Sequence, residues 1–262
     1  MNQSSSAALW QLDRGSGAPL LLVHGFPLDH TMWAGQIAEL SNSVRVIAPD
    51  LRGFGSSPTR GEKATMVQFA DDLAALLDHL AIREPVVLCG LSMGGYIAFQ
   101  FWRKYADRLR GLILCDTRAA ADTPEAAAGR HAMAERVLRE GPGPLVDAML
   151  PKLFAESTRQ QRPEIVEGLR RVMMANDPRG IAAAARGLAE RPDMTAVLAE
   201  IRCPTLVVVG QSDAISPPGE MRGIASAIPG ADFVEISAAG HMSPLENPAE
   251  FNAAALKFFQ RV

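Results

Sequence analysis

Short apolar runs recur along this chain, separated by longer segments whose apolar residues fall at helical spacing. Six runs, at residues 20–23, 44–48, 86–89, 112–115, 206–209 and 233–236, are almost unbroken in leucine, valine and other apolar residues. A strand with one wet face alternates apolar and polar positions, so unbroken apolarity predicts strands covered on both faces. Helices between them supply right-handed crossovers, and the pattern predicts an α/β fold on a mostly parallel sheet flanked by helices. Residues 7–12, followed by the turn Gly15-Ser16-Gly17, predict an antiparallel edge strand, with room for a second in the same stretch. No repeat of solenoid length and no low-complexity tract interrupts the pattern.

The strand spacing breaks once. Between Thr117 and Glu200 only helical patterns occur, at 123–140, 144–154, 163–176, 178–191 and 193–200, divided by Gly141-Pro142-Gly143-Pro144, Pro163, Asp177-Pro178 and Pro192. This predicts a core made of residues 1–117 and 201–262, with a helical cap at 118–200 inserted between strands 6 and 7. Met149, Leu153, Phe154, Met173 and Met174 in that insertion suit the wall of a modest apolar pocket, and equally the packing of helices on one another.

Composition narrows the function classes. A length of 262 residues suffices for one α/β domain, and a hydrophobic fraction of 48% with 21% charged residues fits a compact globular chain. The formal charge of -3 is too small to steer a polyanion or a membrane surface, so neither nucleic acid nor membrane is expected as a partner. Arg103-Lys104 and Arg170-Arg171 lie in helical patterns and read as solvated faces. The three cysteines, Cys89, Cys115 and Cys203, sit in or beside apolar runs and fit a reduced, cytoplasmic compartment. Residues 1–12 carry no basic segment followed by an apolar one, and no run reaches the ~18 apolar residues of a membrane span. No histidine pair has metal-ligand spacing, and the glycines of Asp50-Leu51-Arg52-Gly53-Phe54-Gly55-Ser56-Ser57 open no helix, so neither metal nor dinucleotide cofactor is expected. That segment reads as a structural turn.

The chemistry concentrates in Gly90-Leu91-Ser92-Met93-Gly94-Gly95, between the apolar run at 86–89 and a helical pattern at 96–105. A serine hydroxyl is a poor nucleophile unless a turn exposes it where a base can reach it. A sharp strand-to-helix corner does this, and it needs small residues two before and two after the serine; Gly90 and Gly94 fill those places.

A base and a carboxylate should stand at other strand ends. Of the five histidines, His241 in Gly240-His241-Met242-Ser243-Pro244 follows the last strand and precedes a terminal helix at 248–259. His79 reads as a helix-surface residue, His131 lies in the insertion, His30 starts a helix, and His24 ends a strand as a structural hydrogen bonder. Asp213 follows Val209-Gly210-Gln211-Ser212 and can fix the imidazole tautomer; Asp116, at the end of another strand, is the rival acid. Ser92, Asp213 and His241 follow the serine, acid, histidine chain order of a known hydrolase class. Two backbone N–H groups must receive the oxyanion. Met93 supplies one at the helix N terminus, and Phe26 in His24-Gly25-Phe26-Pro27 supplies the other, because Pro27 has none.

With these motifs in order, the sequence resembles the α/β-hydrolase fold superfamily over essentially its whole length, through HGFP from His24, DLRGFGSS from Asp50, GLSMGG from Gly90, GQSD from Gly210 and GHMSPLENP from Gly240. The resemblance implies an eight-stranded, mostly parallel sheet with a helical cap, a nucleophile, acid and base at Ser92, Asp213 and His241, and oxyanion donors at Phe26 and Met93. Serine at the elbow departs from haloalkane dehalogenases and epoxide hydrolases, which carry aspartate there. HGFPLD departs from the HGxGPG of carbon-carbon bond hydrolases. Cofactor-free perhydrolases look similar at HGFPL with Trp33 following, and oxoadipate enol-lactonases are similar in size. The implied activity is hydrolysis of a small to medium carboxylic ester or lactone by a monomer or homodimer. Carbon-carbon hydrolysis, or a triad-bearing ligand receptor with slow turnover, stands as the alternative.

Overall fold

A computed structural model describes residues 9–262. Among these residues seven strands form one sheet in the order β1-β3-β2-β4-β5-β6-β7. They are β1 (Gln11–Arg14), β2 (Pro19–Val23), β3 (Arg45–Pro49), β4 (Val86–Leu91), β5 (Leu109–Cys115), β6 (Thr205–Gly210) and β7 (Asp232–Ile236). β1 pairs antiparallel with β3, and every other pairing is parallel. Among the described residues the sheet has seven strands, against the eight that the resemblance implies. The N-terminal stretch there yields one strand, which starts at Gln11; residues 9 and 10 are not strand, and residues 7 and 8 lie outside the described residues.

The helices of the core are α1 (Ala34–Leu40), α2 (Met66–His79) and α3 (Met93–Tyr105). Between β5 and β6 come α4 (Pro124–Glu140), α5 (Gly143–Leu153), α6 (Glu156–Gln161), α7 (Pro163–Ala175) and α8 (Pro178–Ala189). The chain closes with α9 (Pro218–Ala227), α10 (Ser243–Glu246) and α11 (Pro248–Phe259). With one strand fewer, the helical insertion follows the fifth strand rather than the sixth. Residues 193–200 make a 3-10 helix at Thr195–Glu200 in place of an α-helix, and α6 is a helix that apolar spacing does not announce. Several helices start on a capping side chain followed by proline. Thr123, Asp177 and Asn247 accept from the N–H groups of Ala126, Arg179 and Glu250 ahead of Pro124, Pro178 and Pro248.

Successive strand residues point to opposite faces, and the core divides accordingly. Leu21, Val23, Leu88, Leu112, Leu114, Val207 and Val209 pack with Phe69 and Leu73 of α2, Ile97 and Phe101 of α3 and Met221 of α9. Leu20, Leu22, Val87, Cys89, Ile113, Leu206 and Val208 pack with Ile37 of α1 and with Phe251 and Phe258 of α11. Unbroken apolar strands are the direct consequence of this double cover. Strand order reverses between β2 and β4, and crevices form beyond the C-terminal ends of strands at such a switch point.

Candidate active site

Ser92 stands at that switch point, as the residue between β4 and α3. Its φ is 54° and its ψ -111°, a conformation that a side chain adopts only when its surroundings enforce it. The enforcement comes from the end of β5 and the loop after it: the Ser92 N–H donates to the Cys115 carbonyl at 2.9 Å, and the Thr117 hydroxyl donates to the Ser92 carbonyl at 2.7 Å. The corner is too tight for side chains beside it. A Cβ on Gly90 would lie 2.2 Å from the Gly94 carbonyl oxygen, and one on Gly94 would lie 2.3 Å from that of Val23. Ser92 remains partly exposed while its neighbours Leu91 and Met93 are buried.

The loop after β2 lies against this corner. A Cβ on Gly25 would come within 3.5 Å of the Ser92 Cβ. A turn from Gly25 to Leu28 is closed by the Leu28 N–H donating to the Gly25 carbonyl at 3.0 Å. Phe26 N–H is not the donor that closes the turn, and Met93, as first residue of α3, has no carbonyl one turn earlier to bond. His24 anchors the loop: its Nε2 accepts the Leu51 N–H at 3.0 Å, so Nδ1 carries the proton and donates to the Gly25 carbonyl at 2.9 Å. Burial lowers the His24 pKa and keeps the ring neutral. Asp50 organises the segment that follows β3, accepting from His30 N–H and Nδ1 on Oδ1 and from Ser56 N–H on Oδ2. The glycines there serve a turn, with Gly53 and Gly55 at positive φ.

His241 and Asp213 are both buried, and Nδ1 lies 2.8 Å from Asp213 Oδ2. Asp213 Oδ1 accepts the N–H groups of Ile215 at 2.8 Å and Ser216 at 3.0 Å, which fixes the carboxylate and leaves Oδ2 to the imidazole. Burial lowers the His241 pKa, but the hydrogen bond and charge of Asp213, aided by Asp116 and Glu246, outweigh it and set the pKa above its ordinary value. Nε2 is then the ring nitrogen left to exchange a proton with a reactant.

Asp116 does not hold the histidine. Its Oδ1 accepts the Gly210 N–H at 2.8 Å, and its Oδ2 shares hydrogen bonds with the Ser243 hydroxyl and, at 3.0 Å, the Cys115 thiol. These contacts tie β5, β6 and α10 together just behind the site. Side-chain carboxylate and ring atoms of Asp116, Asp213 and His241 lie within 4.8 Å of one another. Burial, with the nearby charge of Asp213, pushes the Asp116 pKa up to about 8. Elbow, acid loop and histidine loop thus converge on the C-terminal end of β5, through Cys115, Asp116 and Thr117.

Two residues of the site escape a reading of local motifs. Glu246 accepts the Gly240 N–H on Oε1 at 2.8 Å, and the Ala155 N–H and Thr158 hydroxyl on Oε2 at 2.8 and 2.6 Å. It joins the histidine loop to the insertion, as does the Met242 N–H donating to the Leu153 carbonyl. Asn176 joins the insertion to the loop after β2. Glu246 lies inside the GHMSPLENP motif, whereas only the helix-ending position of Asn176 marks it in the sequence.

A sequence model described as the alpha/beta hydrolase fold matches residues 18–248. The chain belongs to the α/β-hydrolase family. It is 54% identical to a thermophilic esterase of known structure from Thermogutta terrifontis, with a TM-score of 0.96 over 97% of this chain and 93% of that one. It is 31% identical to the enol-lactonase from Burkholderia xenovorans LB400, with a TM-score of 0.89 and 96% of each chain covered. A 3-oxoadipate enol-lactonase of Acinetobacter baylyi is 30% identical over 97% of this chain and 92% of its own length. No helix among the described residues of this α/β hydrolase is long and apolar enough to cross a membrane.

Proposed function

We propose that the chain is a serine hydrolase that cleaves a small to medium carboxylic ester or lactone through an acyl-enzyme on Ser92. The observation that carries this reading is the His241–Asp213 hydrogen bond at the same sheet end as a serine held at positive φ on a helix N terminus. Family membership and relatives named as esterase and enol-lactonases support the bond class.

Ser92 Oγ attacks the carbonyl carbon while His241 Nε2 takes its proton. The N–H groups of Phe26 and Met93 receive the oxyanion, and Asp213 stabilises the imidazolium. Collapse of the tetrahedral intermediate expels the alkoxide, which takes the proton from His241. Water, deprotonated by His241, then attacks the acyl carbon and frees Ser92 and the acid. Hydrogen peroxide in place of water would release a peracid, a side activity included in this proposal. The helical insertion acts as the cap of the site, and the free thiols of Cys89, Cys115 and Cys203 support a cytoplasmic setting.

Steady-state hydrolysis of p-nitrophenyl esters from acetate to decanoate, in buffer without metal, tests the reading. Many turnovers by the wild type, lost by several orders of magnitude in Ser92→Ala, are expected. A single burst without steady turnover would point to a ligand receptor, and turnover independent of Ser92 would overturn the assignment.

A further inference from the structure

We propose that Asn176, a residue of the helical insertion, is a positioning residue for the oxyanion hole. The inference rests on the reading of the Phe26 N–H as an oxyanion donor. Asn176 follows the last residue of α7 and is only 4% exposed. Its side chain uses every strong hydrogen-bonding direction of its amide nitrogen. Nδ2 donates to the Pro27 carbonyl at 3.0 Å and to the Val172 carbonyl at 3.1 Å, while Oδ1 accepts the Gly55 N–H at 2.7 Å. The orientation of the amide is therefore fixed by its partners, because a flipped amide would set oxygen against two carbonyls.

The three partners belong to three segments: α7, the loop after β2, and the turn after β3. Pro27 directly follows Phe26, and its carbonyl is the point where the insertion grips the turn that presents the Phe26 N–H. From the core side, that turn is held by the Leu28 N–H on the Gly25 carbonyl and by His24 on the Leu51 N–H. Asn176 supplies the opposing hold. Oxyanion donors act through preorganisation, so a loop free to shift by a fraction of an ångström loses transition-state stabilisation without losing the donor.

Asn176→Asp separates position from bulk. It keeps the size and an acceptor for Gly55, yet turns an oxygen toward the Pro27 and Val172 carbonyls in place of the two N–H donors. Asn176→Ala removes the contacts without adding charge, and it is read in the same way where the aspartate variant does not fold. The experiment compares wild type, Ser92→Ala and both Asn176 variants on a p-nitrophenyl ester, well below each protein's Tm. The same proteins are titrated with an alkyl trifluoromethyl ketone, whose serine adduct carries an oxyanion. Removing a whole donor costs about 10²–10³ in kcat, and a displaced one a part of that, so kcat is expected to fall ~10- to 100-fold with KM moving less than ~3-fold. Ketone affinity should fall in proportion to kcat/KM. A lower Tm with unchanged kcat per folded enzyme and unchanged ketone affinity would make Asn176 merely structural and overturn the proposal. Full activity in Ser92→Ala would instead overturn the underlying catalytic reading, so the two failures are distinguishable.

Discussion

The Glu246 carboxylate accepts the Ala155 N–H at 2.8 Å across a separation of 91 residues, and its other oxygen holds the Gly240 N–H beside His241 at 2.8 Å. One buried side chain thus couples the insertion to the loop that carries the proposed base. Three donors converge on it, counting the Thr158 hydroxyl. Glu246→Gln presents an NH2 group where a carboxylate oxygen accepted, leaving at least one N–H unsatisfied. Loss of a hydrogen bond to a buried charged acceptor costs about 1.5–3 kcal/mol. Thermal unfolding should show a Tm lower by several degrees, and ester turnover should fall with it; an unchanged Tm would refute the coupling.

The raised His241 pKa sets the pH dependence. The base must be neutral to take the Ser92 proton, so kcat/KM should rise with pH through an apparent pKa above the ordinary 6.5. Protonated His241 contributes stability that is present below about 6.5 and is lost as pH rises through the folded-state value. Asp213→Asn removes the hydrogen bond and charge that raise the pKa. Its pH–rate profile should shift to lower pH, and its plateau should fall by about 10⁴. A profile unmoved by this substitution would contradict the pairing.

The neighbouring carboxyl of Asp116 is expected to respond to amidation differently from Asp213. With its pKa near 8 in the fold against 3.8 as an ordinary side chain, it binds a proton in the native state that the unfolded state lacks between those values. Its contribution to stability therefore declines as pH rises from about 4 to about 8. Asn at this position keeps an acceptor for the Gly210 N–H and, like the protonated acid, carries no charge. Asp116→Asn should flatten the dependence of Tm on pH in that window and keep activity within ~10-fold of wild type, in contrast to Asp213→Asn. A loss as large as that of Asp213→Asn would make Asp116 the acid.

The elbow makes a steric prediction. Gly94→Ala brings a Cβ to 2.3 Å from the Val23 carbonyl oxygen, where only backbone can yield. Overpacking of this kind costs about 1–3 kcal/mol or more, and the displacement would carry Ser92 and the loop after β2 apart. Both Tm and turnover should drop, measured by calorimetry and ester hydrolysis; a fully active Gly94→Ala enzyme would refute the close approach.

Much of this arrangement is legible in the chain because its signals are local. Strands covered on both faces are almost wholly apolar, so β2, β3 and β6 fall within two residues of the runs that announce them; β7, a half-buried edge strand, does so as well, although Asp232 and Glu235 are polar. β5 begins earlier, at Leu109, because Arg110 and Gly111 interrupt its apolar pattern. The polar segment of α6, ESTRQQ, has no apolar stripe to reveal it. Ser92, Asp213 and His241 each end or follow a strand, and such loops meet at one sheet end. Asn176 and Glu246 act through contacts 149 and 91 residues away, which only the docking of the insertion creates.

The most direct test of the account is stoichiometric inactivation with a p-nitrophenyl alkylphosphonate, followed by peptide mass mapping. The account predicts one adduct per chain, on Ser92, appearing in step with loss of ester hydrolysis and absent from Ser92→Ala. Full modification of Ser92 with hydrolysis retained, or inactivation through an adduct elsewhere, would contradict it.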